Sequence, residues 1–122
     1  MEHELEDRIR RELPDLADED VRSLRIIVER LIEAYGPERI YLFGSKARGD
    51  YGPDSDFDLL VVVSDDAPPE RQDSDLAYHV LRGTGIAADV PVYTHSYFEA
   101  RRHLKASLPG TILREGRLIH AA

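Results

Sequence analysis

Apolar residues fall at helical spacing over the first third of the chain. Leu5, Ile9 and Leu13 recur every four residues and predict a short amphipathic helix over 2–13, ended by Pro14. Val21, Leu24, Ile27, Val28, Leu31, Ile32 and Tyr35 predict a second, longer helix. Asp18, Glu19 and Asp20 favour its N-terminus through the helix dipole, and Gly36-Pro37 stops it. The pattern then changes to β. Residues 39–43 read as a strand, and 56–63 as another whose Leu-Leu-Val-Val-Val tail is apolar on both faces, as in a central strand. Between them, 44–50 reads as a turn opening into a short helix, and 51–55 as a second turn. A polar loop over 64–69 leads to a helix over 70–82, ending near Gly83. Residues 86–94 read as a third strand, and Pro91 inside it suggests either an edge strand or a proline nitrogen that faces away from the ladder. Ser96 and Glu99 make a capping box for a helix running to about Lys105. Leu108-Pro-Gly110 reads as a break, Ile112-Leu113 as an apolar turn, and 117–120 as a last strand.

The element order is α-α-β-(turn)-β-α-β-α-(β). It predicts an α/β (α+β) layer fold with helices packed on a small mixed sheet. A length of 122 residues suits one domain over 1–122, with 1–17 as an N-terminal helical extension. No internal repeat or low-complexity tract interrupts it.

Charge narrows the partners. Acids number 24 and bases 16, for a net charge of −8. Such a chain is poorly suited to gripping nucleic acid through its phosphates. It suits small ligands delivered with Mg²⁺, or a basic protein partner. There are no cysteines, which excludes disulfides and thiolate metal sites. The acidic N-terminus lacks the apolar core of a signal peptide, and no apolar run approaches 18 residues. A cytoplasmic protein without membrane contact is expected.

The chemistry concentrates in 44–63. Gly44-Ser45 is followed, after ten residues, by Asp56-Phe57-Asp58 at the mouth of the apolar strand. Side chains at i and i+2 of a strand leave on one face, with backbones about 6.5–7 Å apart. Asp56 and Asp58 are therefore able to converge on shared Mg²⁺, while the glycine turn offers backbone N–H groups to a phosphate. The bland reading is a pair of solvated turn aspartates beside an ordinary tight turn. Asp54-x-Asp56-x-Asp58 also matches the first half of an EF-hand. Its sixth position is Leu59 rather than Gly and its twelfth Asp65 rather than Glu, so a calcium loop is disfavoured. Arg48 and Lys46 are candidates to neutralise phosphate charge, with surface solvation the competing reading. The five histidines show no ligand spacing, and a surface or half-buried role is expected for each.

The stretch Gly-Ser-x10-Asp-x-Asp resembles the signature of the DNA polymerase β-like nucleotidyltransferases, and the short chain resembles their minimal branch. That resemblance implies the polymerase β-like fold and binding of a nucleoside triphosphate, ATP, with two Mg²⁺ ions. It assigns Gly44 and Ser45 to the phosphates, and Asp56 and Asp58 to the metals; Arg48 joins the nucleotide-binding candidates on its charge alone. It calls for a third carboxylate on a later strand, to hold metal and accept the acceptor's proton. Asp89 is the only acid in the strand 86–94, on the face opposite Val90 and Val92. Members of the minimal branch are commonly antitoxins that adenylylate a tyrosine of a separate HEPN-domain toxin. A hetero-oligomer with such a toxin is the expected assembly. Two alternatives stay open: a non-catalytic toxin-binding module, and transfer to a small-molecule hydroxyl such as that of an aminoglycoside.

Overall fold

A computed structural model describes residues 2–52 and 54–122. Pro53, inside the expected second turn, and the side chain of His3 lie outside the described residues. The elements are α1 (Glu2–Glu12), α2 (Asp18–Tyr35), β1 (Arg39–Phe43), α3 (Ser45–Arg48), β2 (Phe57–Val63), a 3-10 turn (Pro69–Arg71), α4 (Asp75–Leu81), β3 (Ala88–Asp89), β4 (Val92–Thr94), α5 (His95–Arg101), α6 (Leu108–Glu115) and β5 (Arg117–Ala121). Among the described residues, no helix is long and apolar enough to cross a membrane.

β2 is the centre of the sheet, as its two-sided apolar run requires. It pairs antiparallel with β1 on one side and parallel with β3 and β4 on the other, and β5 extends the sheet beyond β1. Alternation along the strands divides the core in two. Ile40, Leu42, Leu59, Val61 and Val63 face α1, α2 and α4, among Ile9, Leu24, Ile27, Leu31 and Ala77. Tyr41, Leu60 and Val62 face α5 and α6, against Phe98 and Ile112. The sheet is thus covered on both faces, which is why five consecutive apolar residues follow Asp58. The tops of the two layers differ in one respect that positions the site. Asp58 shares the face of Leu60 and Val62, and it is only half-buried where they are fully enclosed.

The first helices follow the expected bounds closely. Gly36 ends α2 in the left-handed region (φ 53°), with its N–H donating to the Ile32 carbonyl. Later elements depart from expectation, each through a hydrogen-bonding partner distant in sequence or a local cap. The helix expected over 70–82 is a 3-10 turn followed by α4. The Asp73 carboxylate accepts from the Asp75 N–H at 2.9 Å, and the buried Tyr35 hydroxyl accepts from the Ala77 N–H at 2.9 Å. Together these start α4 at Asp75. The strand expected over 86–94 is split into β3 and β4 around Val90-Pro91. The Pro91 carbonyl still accepts from the Val61 N–H at 3.1 Å, so the edge stays bonded across the proline.

Ser96 is not the cap of α5. Thr94 is, its hydroxyl accepting from the Tyr97 N–H at 3.3 Å. The Ser96 N–H and hydroxyl both donate to the Asp65 carboxylate, and Glu99 pairs with Arg102 at 3.1 Å. α5 consequently starts two residues earlier than a Ser96 cap would place it and ends at Arg101, short of Lys105. Leu108-Pro-Gly110 is not a break but the first turn of α6. Ser107 caps it by accepting from the Gly110 N–H at 3.1 Å, and Pro109 sits where its missing N–H costs nothing.

Tyr35 links α2 to α4, since its hydroxyl also donates to the Asp73 carbonyl at 2.6 Å. Tyr35→Phe strips both bonds and leaves buried groups unpaired. Urea denaturation is expected to show a loss of about 1–3 kcal/mol. An unchanged midpoint would refute this role for the hydroxyl.

Candidate functional site

Gly44 leaves β1 with φ 75° and ψ −159°, a conformation that glycine alone adopts without strain. Antiparallel pairing sets Phe43 opposite Asp58, so the chain's exit from β1 runs past the entry of β2. A Cβ on Gly44 would stand 2.2 Å from Asp58 Oδ2. The glycine is therefore needed twice, for its backbone angles and for the carboxylate pressed against it. The Gly44 carbonyl accepts from the Ala47 and Arg48 N–H groups at 3.1 Å, which opens α3. The first N–H groups of a helix have no partner within it, so those of Ser45 and Lys46 are available at the turn.

Lys46 does not serve as a solvated or phosphate-facing cation. Its side chain is buried, with the ammonium 3.3 Å from Asp20 Oδ2 and 4.5 and 4.6 Å from the ring centres of Tyr51 and Phe57. A charge this enclosed persists through its partner and the aromatic faces. Lys46 thereby pins α3, and with it the Gly44-Ser45 turn, to the start of α2. Arg48 is exposed. Its guanidinium lies 3.1 Å from Asp50 and 3.5 Å from Glu115, near enough to Asp58 to favour that group's charged form.

The three candidate carboxylates are neighbours. Asp89 of β3 is in register with Asp58 of β2, and parallel strands put both on one face about 4.8 Å apart. Asp56 lies exposed just before β2. Burial first, and then the charges of Asp89 and Asp56, push the Asp58 carboxyl above the usual carboxylate range. Asp89 accepts from the Tyr78 hydroxyl at 3.2 Å, across the gap between α4 and β3. A hollow of about 380 Å³ opens beside them, lined by Asp56, Tyr78, Leu81, Arg82 and Ala88 among others. Tyr78 is one of six tyrosines in the chain. Nothing in its spacing signals the approach to Asp89, which depends on where α4 packs.

Among the described residues, no group of three or more His, Cys, Asp or Glu side chains is placed so that it could by itself hold a metal ion. The donor set nonetheless suits Mg²⁺. It is all oxygen, it carries mutual repulsion that a cation would relieve, and Mg²⁺ is usually held by one or two carboxylates together with substrate phosphates. The histidines stand elsewhere: His79, His95 and His103 are exposed, and His95 Nδ1 lies 2.7 Å from Glu38. His120 is half-buried, and its burial and the charge of Arg8 hold its pKa below the ordinary value.

This turn-and-carboxylate corner lies within the 24–117 stretch that matches the family model described as nucleotidyltransferase domain. The chain belongs to the nucleotidyltransferase domain family. The match runs from α2 into β5 and leaves α1, which packs on α2 and β5, in front of it. No curated protein sequence matches this nucleotidyltransferase domain. Solved structures share its fold. One is a toxin–antitoxin crystallised with AMP-PNP, 21% identical with a TM-score of 0.54, covering 80% of this chain and 73% of that one. A second, from Sulfolobus solfataricus and assigned as a nucleotidyltransferase, is 22% identical with a TM-score of 0.51, covering 96% of this chain and 84% of that one. A third is a mutant of the toxin–antitoxin MntA-HpeT, 18% identical with a TM-score of 0.51, covering 78% and 71%.

Two substitutions probe the corner. Gly44→Ala is expected to cost about 1–3 kcal/mol in urea denaturation from backbone strain alone, with the Asp58 clash added. A midpoint equal to wild type would contradict the close approach. Asp58→Asn is expected to act oppositely. Because the folded chain holds the Asp58 pKa above its unfolded value, stability from this group is lost as pH rises through the raised value. In the absence of divalent metal, Asp58→Asn should raise Tm by a few degrees at pH 7. The gain should vanish as pH falls to about 3.9, where the unfolded carboxylate also protonates. Calorimetry across that range checks the sign, and a variant less stable at pH 7 would reverse it.

Proposed function

We propose that this chain is a Mg²⁺-dependent nucleotidyltransferase that moves AMP from ATP to a tyrosine hydroxyl of a separate HEPN-domain toxin, and so acts as an antitoxin. The observation that carries the reading is the seating of the Gly44 turn against Asp58, with Asp56 and Asp89 beside it. Such a corner brings phosphate donors and carboxylates to one place, which is what nucleotidyl transfer needs. Asp56, Asp58 and Asp89 would hold Mg²⁺, which when bound supplies charge neutralisation on the phosphates. Gly44 and Ser45 grip the phosphates through the turn, and Arg48 adds positive charge at its edge. Asp89, the carboxylate already accepting from a phenolic hydroxyl, takes the acceptor's proton.

The antitoxin assignment is supported by the company of the fold. The similar structures include a toxin–antitoxin with AMP-PNP and a mutant MntA-HpeT toxin–antitoxin. The net charge of −8 suits docking on a basic partner in a hetero-oligomer. In this reading 1–122 acts as one cytoplasmic domain, with 1–17 as its helical extension.

The test uses ATP labelled on the α- or the γ-phosphate, with Mg²⁺ and a lysate of the source cells. Transfer of the α-label alone to a separate protein band is expected. Asp56→Asn should abolish it, and Asp89→Asn should slow it by about 10²–10⁴-fold. Full neutralisation of the partner by an Asp56→Asn chain would mean that the domain works by binding and that its carboxylates are not the mechanism.

A further inference from the structure

We propose that Tyr78 is itself an acceptor: the chain carries a self-modification site for the nucleotidyl group on α4. This rests on the nucleotidyl-transfer reading above and adds a second substrate for the same corner. An acceptor hydroxyl must meet the carboxylate that takes its proton and must be open to the incoming triphosphate. Tyr78 meets both conditions. Its hydroxyl donates to Asp89 Oδ1 at 3.2 Å, the residue is 50% exposed, and it borders the same hollow as Asp56.

The other five tyrosines fail one condition or the other. Tyr35 is buried and its hydroxyl is spent on Asp73 and Ala77. Tyr41 is buried, with its hydroxyl accepting from Arg39 at 2.8 Å. Tyr51 holds its ring against the Lys46 ammonium and, among the described residues, makes no hydrogen bond to Asp56, Asp58 or Asp89. Tyr93 and Tyr97 pack against each other with tilted rings at β4 and α5, towards the other end of β2. The approach of Tyr78 is not a chance of a loose loop. Its helix is started by the Tyr35 hydroxyl and seated by buried Ala77 and Leu81.

The step balances without a further reactant. The Tyr78 oxygen attacks the α-phosphorus of a nucleoside triphosphate and forms an O–P bond. The bond from that phosphorus to the bridging oxygen breaks, pyrophosphate leaves, and the phenolic proton passes to Asp89. The product is a tyrosyl phosphodiester that leaves a nucleotide fixed over the corner.

Mass spectrometry of the full chain, incubated with Mg²⁺ and ATP, tests this directly. Trypsin cuts after Arg71 and Arg82 and releases 72–82, in which Tyr78 is the only tyrosine. The expected result is a gain of one AMP unit on this peptide, localised to Tyr78 by fragmentation and absent in Asp56→Asn. Transfer of the α-label to a second protein while Tyr78 stays unmodified would overturn this proposal and leave the nucleotidyl-transfer reading standing. Absence of transfer to any protein would overturn both. A readout without turnover complements these. Nitration of Tyr78 by tetranitromethane should slow several-fold when Mg²⁺ and α,β-methylene-ATP occupy the corner together. Undiminished nitration would place the nucleotide away from Tyr78 and refute the assignment.

Discussion

The contact between Gly44 and Asp58 is the constraint on which the rest of the corner depends. β1 and β2 must pair closely enough to bury Leu42 and Leu59, and the chain leaving β1 must still clear the carboxylate entering β2. Only a residue without a Cβ, in a backbone region reserved for glycine, meets both demands. Lys46 then ties the turn to α2 through Asp20, and in-register pairing brings Asp89 alongside Asp58. The hydrophobic sheet thus supplies the rigidity, and the corner spends some of it holding carboxylates that repel each other.

That expenditure is visible as the raised Asp58 pKa and has a physical logic. A carboxylate half out of water, beside two others, is poorly stabilised by the protein alone. A divalent cation with nucleotide phosphates would relieve the same group. Local destabilisation that a ligand repays is a recurrent feature of functional sites. Arg48 fits this picture, since its partners, exposed Asp50 and half-buried Glu115, are open to solvent and exchangeable with phosphate oxygens.

Much of this was legible in the sequence, for identifiable reasons. β2 declared itself because a strand buried on both faces must be apolar throughout, and α2 because seven apolar residues from Val21 to Tyr35 keep helical phase. The Gly44-Ser45 and Asp56-x-Asp58 spacing is local, so its placement at one strand exit and one strand entry could be read directly. What could not be read depends on partners distant in sequence. α4 begins where the Tyr35 hydroxyl meets Ala77, forty-two residues away. Ser96 has the residue spacing of a cap, yet Asp65 claims both its donors. Leu108-Pro-Gly110 has the composition of a break. It is helical because Ser107 caps it and because Gly110 is packed where a Cβ would stand 2.2 Å from the Leu104 carbonyl. The burial of Lys46 and the Tyr78–Asp89 bond escape the sequence alike, since neither burial nor a cross-element hydrogen bond has a sequence spacing.

The central claim is that the carboxylates beside Gly44 form a Mg²⁺–nucleotide site, and calorimetric titration tests it most directly. Wild type and Asp58→Asn would each be titrated with α,β-methylene-ATP, with and without Mg²⁺. The account predicts saturable nucleotide binding to wild type that requires Mg²⁺ and is lost in Asp58→Asn. Equal binding by both proteins, or binding indifferent to Mg²⁺, would contradict it.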